Sequence, residues 1–259
     1  MFDEYIEPIT KGDYTVRLAK NDDELRQYQD LRYKHLLLLH RPDRIHTDPP
    51  GTTDINMNYD KTTSQLCVFY KDPITQKETV VGGYILMRFK TKNCLCKVSL
   101  KYDLSKLLDK YMFEVFEASR VVTHPEHRQN STVIMLLWDG IASYSKKYGV
   151  RYLIGTCSFA GTDPLAYNLA ASYLYHNYLM DEDIMVTPLD EPKGSAFYHT
   201  IIPKDELCPS ASRNLPSLLR GYLILGTKMG TGFYIDKTLG LSETFGILDM
   251  TKRGRYKIK

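Results

Sequence analysis

The sequence predicts an α+β protein with a mixed, mostly antiparallel central sheet, and three observations lead to this class. Residues 65–71 and 80–89 both read as strands, and the polar turn between them is typical of an antiparallel hairpin. The strand-like residues 116–122 are followed by a turn and then by an amphipathic helix over 132–148. Residues 152–157 are almost continuously apolar, as expected of a covered central strand.

Similar signals predict the other elements. Residues 14–19 alternate as a first strand does, and Asn21 or Asp22 is the expected N-cap of a helix whose apolar stripe reaches Leu39. Residues 40–59 hold three prolines and few apolar residues, which indicates a long irregular loop. Residues 101–108 predict a short helix or turn, and a helix is expected from Asp163 or Pro164 to 179. Residues 203–216 predict a loop, 215–226 a second helix and 233–236 a strand.

Composition sets broad limits on the function. The chain has 259 residues, 43% hydrophobic and 25% charged, which is typical of a globular protein with a substantial core. A net charge of +3 is too small to indicate nucleic-acid binding by itself, although the last nine residues carry five basic side chains and no acid. Five cysteines without ligand-like spacing, and no apolar run long enough for a membrane span, predict a cytoplasmic protein.

The turn after residues 116–122 has the character of an anion site. It contains Arg128 and leads into a helix that begins near Ser131 and Thr132. A helix start presents unpaired N–H groups and the positive end of the peptide dipoles, and arginine offers a fork of donors that matches phosphate. Glu117 lies on the strand that enters this turn. A carboxylate beside a phosphate-binding turn suggests group transfer from a phosphate-tailed carrier.

The order strand, arginine turn, helix, strand and helix resembles the acyl-CoA core of the GNAT superfamily. Residues 122–128 (Val-Thr-His-Pro-Glu-His-Arg) are similar to the entry of its pyrophosphate loop. Ordinary GNAT loops continue with glycines, whereas Gln-Asn-Ser-Thr stands at 129–132 here. This departure is compatible with a 4'-phosphopantetheine arm, which brings one phosphodiester.

Residues 116–120 (Phe-Glu-Ala-Ser-Arg) are similar to the Glu-x-Ser-Arg strand of acyl-homoserine lactone synthases, which are GNAT-like. Residues 17–33, Asp54 and the Tyr-Asp pair ending at Asp60 resemble the N-terminal half of those enzymes.

A further resemblance covers nearly the whole chain. It is to the bacterial ornithine N-acyltransferases, often labelled hemolysin-like, and it rests on residues 101–105, 117–128, 137–142, 151–158 and 215–226. The resemblance implies one GNAT-like domain over 1–259, of which about 203–259 is a family-specific extension of helix and strands. It also implies transfer of a long-chain, 3-hydroxy fatty acyl group from acyl-acyl carrier protein to the α-amino group of ornithine or another amino acid.

These resemblances assign expected roles to particular residues. Glu117 is the expected base, and Ser119 and Arg120 position the acceptor or the carrier arm. The residues expected to bind the donor are Val121, Val122, Arg128, Ser131 and Thr132. Those expected to bind the substrate are Arg32, Asp54, Asp60 and Ser158, and no metal site is expected.

No permanently bound cofactor is expected. The donor is an acyl carrier protein thioester, with acyl-CoA as the alternative, and the basic residues Arg128, Lys146, Lys147 and Arg151 are candidates for docking the acidic carrier. The basic C-terminal residues suggest peripheral contact with an anionic membrane at the inner face of the cell membrane.

Two departures from the family pattern leave the acceptor open. Ser64-Gln65 replaces an Asp-His pair, and residues 240–244 replace an Asn-Thr-Thr-Asp-like run. Three other functions also remain open at this point: an acetyl-CoA-dependent acetyltransferase, an autoinducer synthase and a non-catalytic membrane-binding protein.

Overall fold

The computed structural model describes residues 2–43, 60, 62–91, 96–129, 131–189, 195–196, 201–208, 210–237 and 239–252. The strands, in chain order, are β1 (Ile9–Lys11), β2 (Tyr14–Leu18), β3 (Ser64–Lys71), β4 (Glu78–Arg88), β5 (Tyr102–Asp103), β6 (Val115–Thr123), β7 (Tyr152–Ala160), β8 (Thr187–Pro188), β9 (Ser195–Ala196), β10 (Lys228–Met229), β11 (Phe233–Asp236) and β12 (Leu241–Asp249). The longer helices are α1 (Asp22–Arg32), α2 (Ser105–Tyr111), α3 (Thr132–Tyr148), α4 (Asn168–Tyr178) and α5 (Ser217–Leu225).

The chain forms two compact units, each made of separate segments. Unit 1 holds residues 1–88 and 118–150, and unit 2 holds residues 89–117 and 151–259. The chain passes from one to the other inside β6, after Glu117.

Unit 1 contains strands β1 to β4 in antiparallel order, with α1 and α3 packed against them. Asn21 caps α1, since its side-chain oxygen accepts the N–H of Glu24 at 2.9 Å. The helix continues as a π-helical turn, Tyr33–Leu37, and a last α-helical turn, Leu38–His40.

Two glycines of β4 show that the helices cover opposite faces of the sheet in unit 1. A Cβ at Gly82 would lie 2.7 Å from Val133 of α3, and a Cβ at Gly83 would lie 2.6 Å from the ring of Tyr28 on α1. Successive strand residues point to opposite faces, so the sheet is the middle of three layers. Only glycine permits this approach on both sides.

Unit 2 is organised around β7 and β12, which pair antiparallel over their whole length, from Tyr152 opposite Asp249 to Ala160 opposite Leu241. The buried side of α5 packs with α4, β7 and β11. The hydrophobic cluster buried between these elements includes Leu215, Leu219, Leu223, Leu174, Phe159 and Phe233.

The strand order is β1-β2-β3-β4-β6 on the side of unit 1 and β6-β7-β12-β11-β9 on the side of unit 2, with β10 also paired to β12. The pairing of β6 with β7 is parallel and joins residues 115–117 to residues 152–154. Every other pairing given for this sheet is antiparallel. The predicted class, an α+β fold with a mixed, mostly antiparallel sheet flanked by helices and a C-terminal part of helix and strands, is confirmed.

Most elements agree with the sequence prediction, including α3, the β3–β4 hairpin and the helix capped near Asp163. Six strands were not predicted: β1, β5, β8, β9, β10 and β12. The first five have only two or three residues each, whereas β12 is long, and Leu241, Phe245 and Ile247 are among its buried apolar residues. Among the described residues, no helix has both the length and the apolar character needed to cross a bilayer.

Candidate active site

The most unusual backbone in β6 is at Arg120. Its φ angle is +57°, in the left-handed region that a side chain other than glycine rarely adopts. The hydroxyl of Tyr28 donates a hydrogen bond of 2.7 Å to the carbonyl oxygen of Arg120 and fixes this conformation. Backbone strain of this kind costs about 1–3 kcal/mol and is concentrated at functional sites. The strand that was predicted to carry the chemistry is therefore distorted at one of the predicted residues.

The guanidinium group of Arg120 forms no ion pair or hydrogen bond with the described part of the chain. Its Nε atom is buried, although the residue as a whole is only half-buried. A buried donor without an acceptor costs about 1–3 kcal/mol. Ser119 and Val121 beside it are also half-buried, and Val122 is buried.

Glu117 is fully enclosed in unit 2. Its side chain has no exposed surface, and its Oε2 accepts the backbone N–H of Val98 at 3.3 Å. The thiol of Cys96 is close by: burial, and then the charge of Glu117, raise the pKa of Cys96 far above its usual range. The geometry thus places a protonated thiol and a backbone N–H against the carboxylate that was predicted to be the base.

The turn that carries Val98 is fixed by a cluster that the sequence analysis did not predict. The N–H of Lys101 donates to the carbonyl of Val98 at 3.0 Å, and its Nζ donates to Asp236 at 3.0 Å and to Glu243. Burial lowers the pKa of Lys101, but the two carboxylates outweigh it and raise the pKa. Lys101 is the first residue of the segment 101–105, on which the family resemblance partly rests. That position was the signal in the sequence that could have identified Lys101 as a functional residue.

The turn between β6 and α3 in unit 1 carries three of the residues that were predicted to bind the donor. Arg128 is exposed, and its Nε donates to the carbonyl of Thr123 at 2.9 Å, which orients the guanidinium at the end of β6. Ser131 precedes α3, and its side chain makes no capping hydrogen bond. Thr132, the first residue of the helix, is half-buried. The first turn of α3 contains no acid, so its positive end is not neutralised by an acid from its own helix.

Three histidine rings lie beside this turn. His124 contacts the rings of His35 and His127, with centroid distances of 5.0 and 5.7 Å, and Tyr14 shares a 2.9 Å hydrogen bond with His127. Burial, and then the neighbouring His124, lower the pKa of both His35 and His127, so both rings are neutral at pH 7. Possible ligand atoms of His124, Glu126 and His127 lie within 4.8 Å of one another, a grouping the sequence did not predict.

The predicted substrate-binding residues fall into different environments. Arg32 and Asp60 are both buried and pair with each other at 3.0 Å, and Gln29 donates to the same carboxylate at 2.8 Å. Ser158 lies on β7 with an exposed side chain, opposite Glu243 of β12. Asp54 lies outside the described residues.

The predicted carrier-docking residues also differ from one another. Lys146 and Lys147 are exposed in the last turn of α3, and Lys147 lies 4.4 Å from the ring of Tyr5. Arg151 pairs with Asp249 at 2.7 Å. Of the C-terminal basic residues, Lys252 is described and exposed, and the others lie outside the described residues.

Comparison with known proteins defines the class. No family model matches the chain. The L-ornithine N(alpha)-acyltransferase of Brucella abortus (strain 2308) is 28% identical over 93% of this chain and 86% of its own length. The protein of the same name from Agrobacterium fabrum (strain C58) is 29% identical over 95% of this chain and 84% of its own length.

A solved structure of FeeM, an N-acyl amino acid synthase from uncultured soil microbes, aligns over 95% of this chain and 93% of that chain, with a TM-score of 0.48 and 9% identity. The sequence relationships define the protein as an N-acyltransferase. More particularly, the chain is a homologue of proteins named L-ornithine N(alpha)-acyltransferase.

Proposed function

We propose that the protein transfers a long-chain fatty acyl group, as a 3-hydroxyacyl thioester, to the α-amino group of ornithine or a related amino acid. The product is a lyso-aminolipid. The observation that carries the proposal is the match to L-ornithine N(alpha)-acyltransferases along more than nine-tenths of the chain.

The donor side is assigned to the turn between β6 and α3. Arg128 and the N–H groups at the start of α3 supply positive charge and donors for one phosphodiester. Because His35 and His127 are neutral at pH 7, arginine and helix start carry this role. We assign polarisation of the thioester carbonyl to the backbone N–H groups of Val121 and Val122. This set of groups suits a 4'-phosphopantetheine arm.

Arg120 is assigned to the acceptor. Its guanidinium has no partner in the described part of the chain, and a carboxylate is the partner that a guanidinium fork recognises best. Ornithine and other α-amino acids carry that carboxylate next to the reacting nitrogen. Ser119 precedes Arg120 on the same strand and contributes to positioning. Ser158 is exposed, and we assign it to substrate contact. The enclosed Arg32–Asp60 pair supports the packing of unit 1.

In the reaction, the acceptor nitrogen attacks the thioester carbon, a C–N bond forms and the C–S bond breaks. The pantetheine sulfur leaves as a thiol after taking up a proton, and the amine loses one proton. We assign that loss to Glu117. Because the Glu117 side chain has no exposed surface, we assign the transfer to a water that connects its carboxylate with the amine.

The decisive experiment is mass spectrometry of lipids from cells that make the protein, with Glu117→Gln and Arg120→Met variants for comparison. A new N-acyl amino acid is expected with the wild type, and it is expected to be lost or strongly reduced in both variants. The exposed Ile74→Ser variant is the matched control and should leave the lipid unchanged. An unaltered lipid profile in wild-type cells would reject the proposed activity.

The donor is tested with purified protein. Acyl carrier protein is the proposed partner because it is acidic and Lys146, Lys147 and Arg128 are exposed basic residues. The rate with acyl-acyl carrier protein should fall steeply as salt rises, while the rate with acyl-pantetheine should change little. Equal salt dependence would remove the carrier-docking role, and a preference for acetyl-CoA would instead indicate an acetyltransferase.

A further inference from the structure

Helix α5 of unit 2 has an exposed apolar side. Leu215, Leu219 and Leu223 are buried in the core cluster, spaced four residues apart. Leu218 and Ile224, which lie on the rest of the helix surface, are 41% and 59% exposed. An apolar stripe on one side accounts for the packing of a helix, but it does not account for further large apolar residues outside that stripe.

The exposed side of α5 is open at its centre. Gly221 lies between Leu218 and Ile224 in the helix, and a Cβ built on it meets no atom within 4 Å. Helical spacing of about 100° per residue puts Gly221 at the centre of the exposed side, flanked by Leu218 and Ile224. No described part of the chain covers this position, so the face presents a shallow apolar surface.

The stretch of chain that contains α5 carries charge of one sign. From Leu207 to Ile235 the chain contains Arg213, Arg220 and Lys228 and no acidic residue. All three basic residues are exposed, one in the turn before α5, one within it and one on the strand after it. Acids flank this stretch on both sides: the exposed Asp205 and Glu206 precede it, and Asp236, which is paired with Lys101, follows it.

We propose that this face of α5 docks on the surface of an anionic phospholipid bilayer. Branched apolar side chains enter the headgroup region, and the basic residues pair with lipid phosphates. A bilayer suits the surface because it demands positive charge and apolar contact but no shaped pocket. The inference rests only on the exposure and charge of side chains on and near α5, so it does not depend on the proposed reaction.

The test is co-sedimentation of the full chain with vesicles of phosphatidylcholine, and of phosphatidylcholine mixed with phosphatidylglycerol. Binding is expected only with the anionic vesicles, and it should weaken as salt rises. The Leu218→Ser/Ile224→Ser double variant should bind about tenfold or more weakly. Arg220→Gln should weaken binding about fivefold, the loss expected for one basic residue near an anionic surface.

Two further variants guard against effects on folding. Gly221→Leu adds an apolar side chain to an open helix position and should bind the anionic vesicles more tightly than the wild type. Ile74→Ser removes an even more exposed apolar residue from unit 1, where Ile74 is 90% exposed, and should not change binding. Circular dichroism and thermal unfolding confirm that each variant is folded.

Three results would overturn the proposal. Equal binding to both kinds of vesicle excludes an anionic lipid surface. Full binding by the double variant assigns the contact elsewhere, such as the basic C-terminal residues. If the double variant binds vesicles as the wild type does but has a raised KM for acyl-acyl carrier protein, the face is a protein-docking surface.

Discussion

The backbone N–H of Val98 lies 3.3 Å from Oε2 of Glu117 and closes the only carboxylate of β6 away from solvent. Val98 is held in turn through Lys101, whose side chain reaches Asp236 and Glu243. The environment of the proposed base is therefore set by a lysine that lies outside β6.

Replacing Lys101 should affect both stability and catalysis. Lys101→Met leaves Asp236 and Glu243 without their shared cation, which should lower the free energy of unfolding by about 3 kcal/mol. Urea denaturation at pH 7 measures the loss, and the pH dependence of kcat/KM reports the altered surroundings of Glu117. Lys101→Arg keeps the charge and should recover most of both. An unchanged pH profile in a folded Lys101→Met protein contradicts the link to Glu117.

Arg120 should show opposite effects on stability and function. Arg120→Gly relieves the positive φ angle and should raise the free energy of unfolding by about 1 kcal/mol. The same change removes the guanidinium and should raise the KM for the amino acid about 10- to 100-fold. Arg120→Met separates the effect on stability from the effect on KM, because it keeps the strained backbone and removes the positive charge. An acceptor lacking the carboxylate, such as 1,4-diaminobutane, should not discriminate between wild type and either variant.

Helix α1 lies so close to the sheet at Gly83 that one added methyl group should destabilise the fold substantially. In Gly83→Ala the new Cβ would lie 2.6 Å from the ring of Tyr28 and 2.8 Å from the backbone oxygen of Leu66. Thermal unfolding should show destabilisation of about 2 kcal/mol or more, because a backbone atom cannot move aside easily. Gly221→Ala, at an open helix position, is the control and should be neutral or slightly stabilising.

The ion pair between Arg151 and Asp249 predicts a specific loss of stability in acid. Burial raises the pKa of Asp249, but hydrogen bonds from Arg151 and Thr251 outweigh it and lower the pKa to about 2. A lowered pKa contributes stability that is complete above about pH 4 and is lost as the pH falls toward 2. Arg151→Met should therefore lower the free energy of unfolding by about 1–2 kcal/mol at pH 7 and by much less near pH 2. Arg213→Met, which changes an exposed arginine, should show no such difference.

The sequence predicted the elements whose signals are local. The hairpin turn at Asp72, the Asn21 cap and the periodicity of α3 each act within a few residues, and each is found in the structure. The strand β12 was missed because its burial depends on pairing with β7, far away in the chain.

The candidate site could be predicted only in part, for the same reason. Glu117, Arg120 and Arg128 were found from one continuous segment and its family resemblance. The contact from Val98 and the pairing of Lys101 with Glu243 join residues distant in sequence, so no local pattern indicates them. The positive φ of Arg120 has no compositional signal either, because glycine or asparagine is the usual residue there.

The late position of β12 has a consequence for synthesis of the chain. Every residue of unit 1 has been translated once Val150 is added, but β7 must wait for residues 241–249 before its second edge is paired. During that interval an apolar strand edge is open to other nascent chains. A stop codon shortly before Leu241 is thus expected to yield an aggregating product, not a smaller enzyme.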